Sequence, residues 1–318
     1  MSGGATGPVV LLMGPTASGK TELALTLAER LPLEIVSVDS ALVYRGLDIG
    51  TAKPSAEARA RVPHHLIDVA EPDEHYSAGR FCADALACIE AIHERGRIPL
   101  LTGGTMLYFR VLLDGIAPMP PADPDVRRQL EAETATGGLA AMHAELARVD
   151  PAAAARIHAH DPQRVQRALE VWRLTGRPIS EWQADRQPLA APTLQLCVAP
   201  GDRQRLHDRI ERRFHAMLQA GLVEEVERLR ARPGMDADLP SMRAVGYRQV
   251  WQYLAGEVDH AGMVERAVVA TRQLAKRQFT WLRRFEGAHW FDSDTVDGAA
   301  LETRLIAFRG QAPEFTAR

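Results

Sequence analysis

The stretch Val9-Val10-Leu11-Leu12-Met13-Gly14-Pro15-Thr16-Ala17-Ser18-Gly19-Lys20-Thr21-Glu22-Leu23-Ala24-Leu25-Thr26-Leu27-Ala28 decides the fold. Its first five residues form a short apolar run of buried-strand character. Its next eight fit G-x-x-x-x-G-K-[ST] at every position, and the last seven space apolar residues as a helix does. Strand, glycine loop and helix in succession turn that pattern into a phosphate-binding loop (P-loop) rather than a chance match. The loop amides and the helix N-terminus then form an anion site. Lys20 adds a point charge, and the Thr21 hydroxyl can hold Mg²⁺. The motif leaves open which polyphosphate it binds.

Downstream, strand and helix continue to alternate. Glu34-Ile35-Val36-Ser37-Val38-Asp39 reads as a second strand. Ser77 suits the N-cap of a helix running to about Arg95. Ile98-Pro99-Leu100-Leu101-Thr102 reads as another strand, ending in Gly103-Gly104-Thr105. This alternation predicts an α/β fold with a P-loop NTPase-like parallel sheet, and ligands at the carboxyl ends of the strands. The pattern breaks at the proline joint of residues 117–124. From Asp125 to about Ala184 the chain reads helical throughout, and after Pro188 and Pro192 strand character returns at Thr193–Val198. An all-helical domain at 118–192, inserted into a core made of 1–117 and 193–318, is the expected organisation. Beyond Asp202 the core reads mostly helical, with a last strand near His289-Trp290-Phe291.

Hydrophobic residues make up 46% and charged residues 25% of the 318, a globular profile. No apolar run approaches the roughly 20 residues of a membrane span. Residues 1–7 lack a basic segment followed by an apolar one. A cytoplasmic protein without a membrane partner is therefore expected, and a monomer. The three cysteines, Cys82, Cys88 and Cys197, include no C-x-x-C pair, which argues against a disulfide framework or a zinc site. Net charge is −3, yet Arg243 to Arg284 carries eight basic residues against three acids. A basic segment on an otherwise acidic chain suits either a polyanion groove or a solvated helix face.

Several residues are candidates for chemistry. Asp39 ends the second strand, 19 residues after Lys20. It can hold Mg²⁺ through water, act as a base, or cap the next turn. Thr105 can donate its hydroxyl to a phosphate or a base edge, or cap a helix. Tyr44 and Tyr247 can stack on a base or pack in the core. His64 and His65 have no acid or cysteine at metal-ligand spacing. Arg164 and Arg167 share one helix row, and Gln163 and Gln166 the next, a set able to read phosphates and base edges or simply to face solvent. Together these features point to a transferase with a polyphosphate ligand, an inserted helical domain and a basic region; a nucleoside or metabolite kinase fits the first half alone, and spacing and composition do not decide between them.

Six segments in order, Gly14–Thr21, residues 37–54 (Ser37-Val38-Asp39-Ser40-Ala41-Leu42-Val43-Tyr44 through Pro54), Gly103-Gly104-Thr105, Asp161–Glu170, Met242–Gln249 and Thr271–Gln278, carry a resemblance. Through them the chain resembles the bacterial tRNA dimethylallyltransferases, or IPP transferases. That resemblance implies transfer of a dimethylallyl group from dimethylallyl diphosphate to N6 of the adenosine 3′ of the anticodon, in tRNAs reading codons that begin with U. Mg²⁺ assists, and the tRNA anticodon stem-loop is the partner. The resemblance makes the loop Gly14, Pro15, Thr16, Ala17, Ser18, Gly19, Lys20 and Thr21 a diphosphate cradle, with Thr21 on the metal. It gives Asp39, Lys20, Thr105 and Arg213 catalytic roles, with Arg212 adjacent to Arg213. Contacts to tRNA are implied for Asp39, Ser40, Ala41, Leu42, Thr105, Arg127, Gln163, Arg164, Val165, Gln166 and Arg167. They are implied also for Arg243, Ala244, Val245, Gly246, Tyr247 and Arg248. A channel is expected, with RNA at one mouth and the prenyl diphosphate at the other. The zinc-finger extension of eukaryotic relatives is expected to be absent.

Overall fold

Near-continuous apolar runs need cover on both faces, and a parallel sheet between helices gives it. The computed structural model describes residues 7–310. The outer ends of the core segments set at 1–117 and 193–318, and residues 1–6 of the N-terminal stretch 1–7, lie outside the described residues. The chain divides into two compact units, one of residues up to Leu112 with those from Ala190 on, the other Leu113–Leu189.

The first unit is built on six parallel strands, β1 (Val9–Met13), β2 (Leu33–Val38), β3 (His64–His65), β4 (Ile98–Gly103), β5 (Thr193–Ala199) and β6 (His289–Asp292), in the order β3-β2-β4-β1-β5-β6. The helices α1 (Lys20–Arg30), α2 (Ala56–Arg61), α3 (Ala78–Glu94) and α4 (Met106–Asp114) follow the early strands. β1 and β2 are buried along their whole length. Val10, Leu12, Ile35, Leu100 and Leu196 pack with Ala24 and Leu27 of α1. Each such Leu or Ile contributes about 1.5–3 kcal/mol of burial. Register then decides the site, because Met13 and Val38 both pair with Gly103. The loops after β1, β2 and β4 therefore leave the sheet side by side. Ser77 caps α3 as its type predicts, accepting from the Arg80 amide. The two-residue strand β3 is too short to leave a periodic signal in the sequence.

The second unit is all helical: α5 (Pro124–Val149), α6 (Pro151–Ala154), α7 (Pro162–Thr175) and α8 (Ile179–Ala184). Asp123, Asp150 and Asp161 cap the first three, each followed by proline at the first helical position. α5 breaks at Gly138, whose φ of 77° and ψ of 163° suit glycine. Leu130, Met142, Leu146, Val165 and Leu169 form the core. The chain enters and leaves this unit at one neck, where Leu189 N donates to Leu113 O at 3.2 Å. That neck lies five residues before the expected start of the insertion at 118 and three before its expected end at 192.

After the second unit come α9 (Arg203–Gln219), α10 (Leu222–Arg230), α11 (Tyr247–Leu254), α12 (His260–Leu282) and α13 (Gly298–Gly310), with β6 between the last two. Among the described residues no helix is long and apolar enough to cross a membrane.

Candidate active site

The glycine loop turns sharply between β1 and α1. Gly19 occupies the left-handed region at φ 80°, and Ala17 does so at φ 62° despite its side chain. A non-glycine residue there costs about 1–2 kcal/mol, which the surrounding structure must offset. Lys20 Nζ donates to Pro15 O at 3.1 Å, so its ammonium lies against the loop. Burial, with a smaller effect of Arg213, pulls the Lys20 pKa down to about 8 against the opposing pull of Asp39. Burial also lowers that of Arg213, again opposed by Asp39. Two half-buried cations and one carboxylate from α1, α9 and the end of β2 thus act on one another.

Two cavities meet at this cluster. One, of about 320 Å³, is lined by the glycine loop from Thr16 to Thr21 and by Ser37, Pro54, His64, Ile67 and Thr102. The other, of about 580 Å³, is lined by Ser40, Ala41, Thr105, Met106, Leu107, Phe214, Met217, Arg277, Trp281 and the segment Arg243–Tyr247. Thr16, Ala17, Asp39, Thr51, Gly104, Arg213, Leu274 and Gln278 line both. An anion cradle thus abuts a larger, mixed apolar and basic cavity, with Asp39 in the shared wall.

Asp39 does cap the next turn, since its Oδ1 accepts from Ala41 N at 2.8 Å and Leu42 N at 3.3 Å. Its place between the cavities leaves the base role compatible with that cap. Thr105 Oγ1 accepts from Ser40 N at 3.0 Å and donates to Ser40 Oγ at 3.3 Å, tying the loops after β2 and β4. Arg213 donates to Thr51 O at 3.3 Å from inside the wall, whereas Arg212 is exposed and donates to Asp208 O, so Arg213 is the one that faces the site. Ser18, Ser37 and Thr102 line the smaller cavity with buried hydroxyls that have no hydrogen-bond partner. Neutral oxygens of this kind, with Thr21 and Asp39, fit a hydrated Mg²⁺, which binds through few protein ligands and keeps several waters.

Not every candidate presents its side chain. Tyr247 is fully buried and donates its hydroxyl to Glu225, so it serves as cavity wall and is no stacking platform. Tyr44 is likewise core, its hydroxyl accepting from Tyr76 N. Val165 is 1% exposed within the helical core, so its side chain offers nothing to an RNA. Arg127 and Arg167 both turn onto the buried Glu170, and Arg167 also reaches Pro120 O. Burial pushes the Glu170 carboxyl up, but these two guanidinium groups and the Asp123 amide more than offset it and hold it below the usual range. Gln166 bonds Arg127 O and Glu131, while Gln163 and Arg164 stay exposed. Arg243, Ala244, Val245 and Gly246 line the larger cavity; Arg248 is exposed and lines neither. His65 bonds Glu34 and His64 bonds Val62 O, and no group of three His, Cys, Asp or Glu able to hold a metal occurs among the described residues.

Gln278 had no assigned role in the sequence. Its Oε1 accepts from Thr16 N at 2.9 Å and its Nε2 donates to Gly104 O at 2.8 Å, joining the glycine loop to the loop after β4. Arg277 and Trp281 of the same helix line the larger cavity. With Thr271 and Leu274 they follow helical spacing, a sign available in the sequence but indistinguishable there from a core stripe.

A P-loop cradle sharing a carboxylate wall with a second cavity defines a group-transfer enzyme on a P-loop NTPase-like α/β fold. The model of the IPP transferase family matches residues 42–285, and that of isopentenyl transferase matches residues 7–65. The chain belongs to the IPP transferase family. It is 59% identical over 308 residues to the tRNA dimethylallyltransferase of Stenotrophomonas maltophilia, covering 94% of this chain and 96% of that one. It is 56% identical over 302 residues to that of Thioalkalivibrio sulfidiphilus, covering 94% of each. Among solved structures, the tRNA isopentenylpyrophosphate transferase of Bacillus halodurans is 38% identical, with 97% of each chain covered and a TM-score of 0.70. A eukaryotic dimethylallyltransferase, solved acting on tRNA, is 26% identical with a TM-score of 0.81, covering 96% of this chain and 78% of that one.

Proposed function

We propose that this chain is a tRNA dimethylallyltransferase. It moves the dimethylallyl group of dimethylallyl diphosphate onto N6 of the adenosine 3′ of the anticodon, in tRNAs that read U-initial codons. The observation that carries this is the pair of cavities meeting at Asp39. The smaller takes the diphosphate, and the larger takes an extruded adenine, which must leave its stack to react.

Displacement occurs at the allylic carbon: the new C–N bond forms, the C–O bond to diphosphate breaks, and the bonding pair leaves with the diphosphate. Loop amides, Lys20 and Arg213 stabilise the charge that builds on that leaving group. Bound Mg²⁺, held by Thr21 with the hydroxyls of Ser18, Ser37 and Thr102 nearby, would add Lewis-acid stabilisation of the same charge. Adenine N6 becomes strongly acidic only as its bond to carbon forms, and Asp39 takes the proton then. Ser40, Ala41, Thr105 and the segment 243–246 form the adenine pocket. The exposed Gln163 and Arg164 of the helical unit contact the anticodon stem-loop. The protein acts as a monomer.

Incubation with Mg²⁺, unmodified tRNA and labelled dimethylallyl diphosphate tests the reading. Label must appear on the RNA without ATP. ATP consumption with a small acceptor, and no label on RNA, would establish a kinase instead. The identities to tRNA dimethylallyltransferases support the transfer reading over that alternative.

A further inference from the structure

Glu225 of α10 is a buried carboxylate, 3% exposed, that lines neither cavity. Buried carboxylates are costly unless every oxygen is satisfied, and this one is. Its Oε2 accepts from Asp48 N at 3.1 Å and Ile49 N at 2.8 Å, and its Oε1 from Gly50 N at 3.2 Å and the Tyr247 hydroxyl at 2.5 Å. Three successive amides turned toward one anion form a backbone nest. The nest is closely packed: a Cβ on Gly50 would come within 2.5 Å of the Tyr247 ring and 2.9 Å of Leu222. The turn is braced from its other side by Lys53, which pairs with Asp48 and Asp68 and donates to Tyr44 O.

The next residue after the nest is Thr51, which lines both cavities and whose carbonyl accepts from Arg213. A guanidinium on a long side chain needs such a fixed acceptor to hold one place. We infer that Glu225 is a positioning residue for the transferred group's diphosphate. By gathering amides 48–50 it fixes the Thr51 carbonyl, and through it Arg213 in the wall between the cavities. This rests on the proposed function only in taking Arg213 as a diphosphate contact.

The test is a double-mutant cycle of E225Q and R213A. It is read on transfer kinetics and on the Kd for inorganic diphosphate with Mg²⁺. In E225Q a neutral amide places an N–H₂ among N–H donors, so the nest opens. We expect kcat/KM to fall about 10- to 100-fold, the range for groups that orient a functional side chain, and diphosphate affinity to weaken. In the R213A background E225Q should cost no more than about threefold further, because the group it positions is gone. A merely structural role predicts the full loss in both backgrounds, and that multiplicative result would overturn the inference. So would E225Q within twofold of wild type on both readouts. If E225Q does not fold, E225D, which keeps the charge but draws it back by one methylene, is scored in the same cycle by the same criteria. A wild-type chain that binds diphosphate but transfers nothing would sink the proposed function, while the diphosphate cycle still decides the role of Glu225.

Discussion

Replacing Asp39 separates its two jobs. The side chain caps a turn through Oδ1, with bonds of 2.8 and 3.3 Å to the amides of Ala41 and Leu42, and is assigned the proton acceptor in transfer. D39A removes both functions. D39N keeps an acceptor oxygen for the amides and removes only the basic carboxylate. A positioned general base contributes about 10²–10⁴ in rate, or about 3–5 kcal/mol at 1.36 kcal/mol per tenfold. D39N should therefore lower single-turnover transfer by about 10²–10⁴ while its melting temperature and tRNA affinity stay near wild type. D39A should lose at least as much rate, plus about 2 kcal/mol of local order from the two amide bonds. The assay is label transfer from dimethylallyl diphosphate to tRNA, with excess enzyme and tRNA binding measured in parallel. A D39N protein within tenfold of wild type would show that the cap is the whole role and that another group takes the proton.

Three further outcomes are expected. Lys20, with its pKa near 8 in the free protein, is raised again by a bound diphosphate, so binding takes up a proton once pH exceeds about 8. Affinity for dimethylallyl diphosphate should then fall as pH rises from 7.5 to 9.5, and K20R, whose guanidinium does not titrate, should flatten that fall; an equal slope in both would reject Lys20 as its source. E170A leaves Arg127 and Arg167 without their shared carboxylate and should destabilise the helical unit by about 3 kcal/mol, the low end for breaking a buried pair because both arginines reach water; unchanged denaturant midpoints would contradict this. Affinity for tRNA should drop steeply between about 50 and 200 mM salt, and a flat response would exclude a basic groove.

The sheet was legible because β1, β2, β4 and β5 are apolar runs with turn chemistry at their ends, and because a glycine loop between strand and helix has one common use. The helical unit was legible through its prolines, and its three Asp-Pro N-caps are written in the chain as Asp123-Pro124, Asp150-Pro151 and Asp161-Pro162. What the sequence could not give was direction. Tyr247 and Arg243 lie four residues apart and both line the larger cavity, yet the tyrosine is buried wall and the arginine is exposed, since Glu225 claims the tyrosine hydroxyl from 22 residues away. Arg127 and Arg167 read as free cations because Glu170 reads as one more acid on a helix. Such pairings are set by packing between distant segments, and local spacing carries no trace of them.

The neck between Leu113 and Leu189 bears on how the chain is made. β5 pairs directly with β1, but a ribosome delivers it only after all four helices of the other unit have emerged. The nascent sheet must wait with one flank of β1 open until that excursion closes. A self-contained excursion joined at adjacent points can condense during the wait, and it then returns the chain to its starting place, so β5 arrives beside the gap it fills.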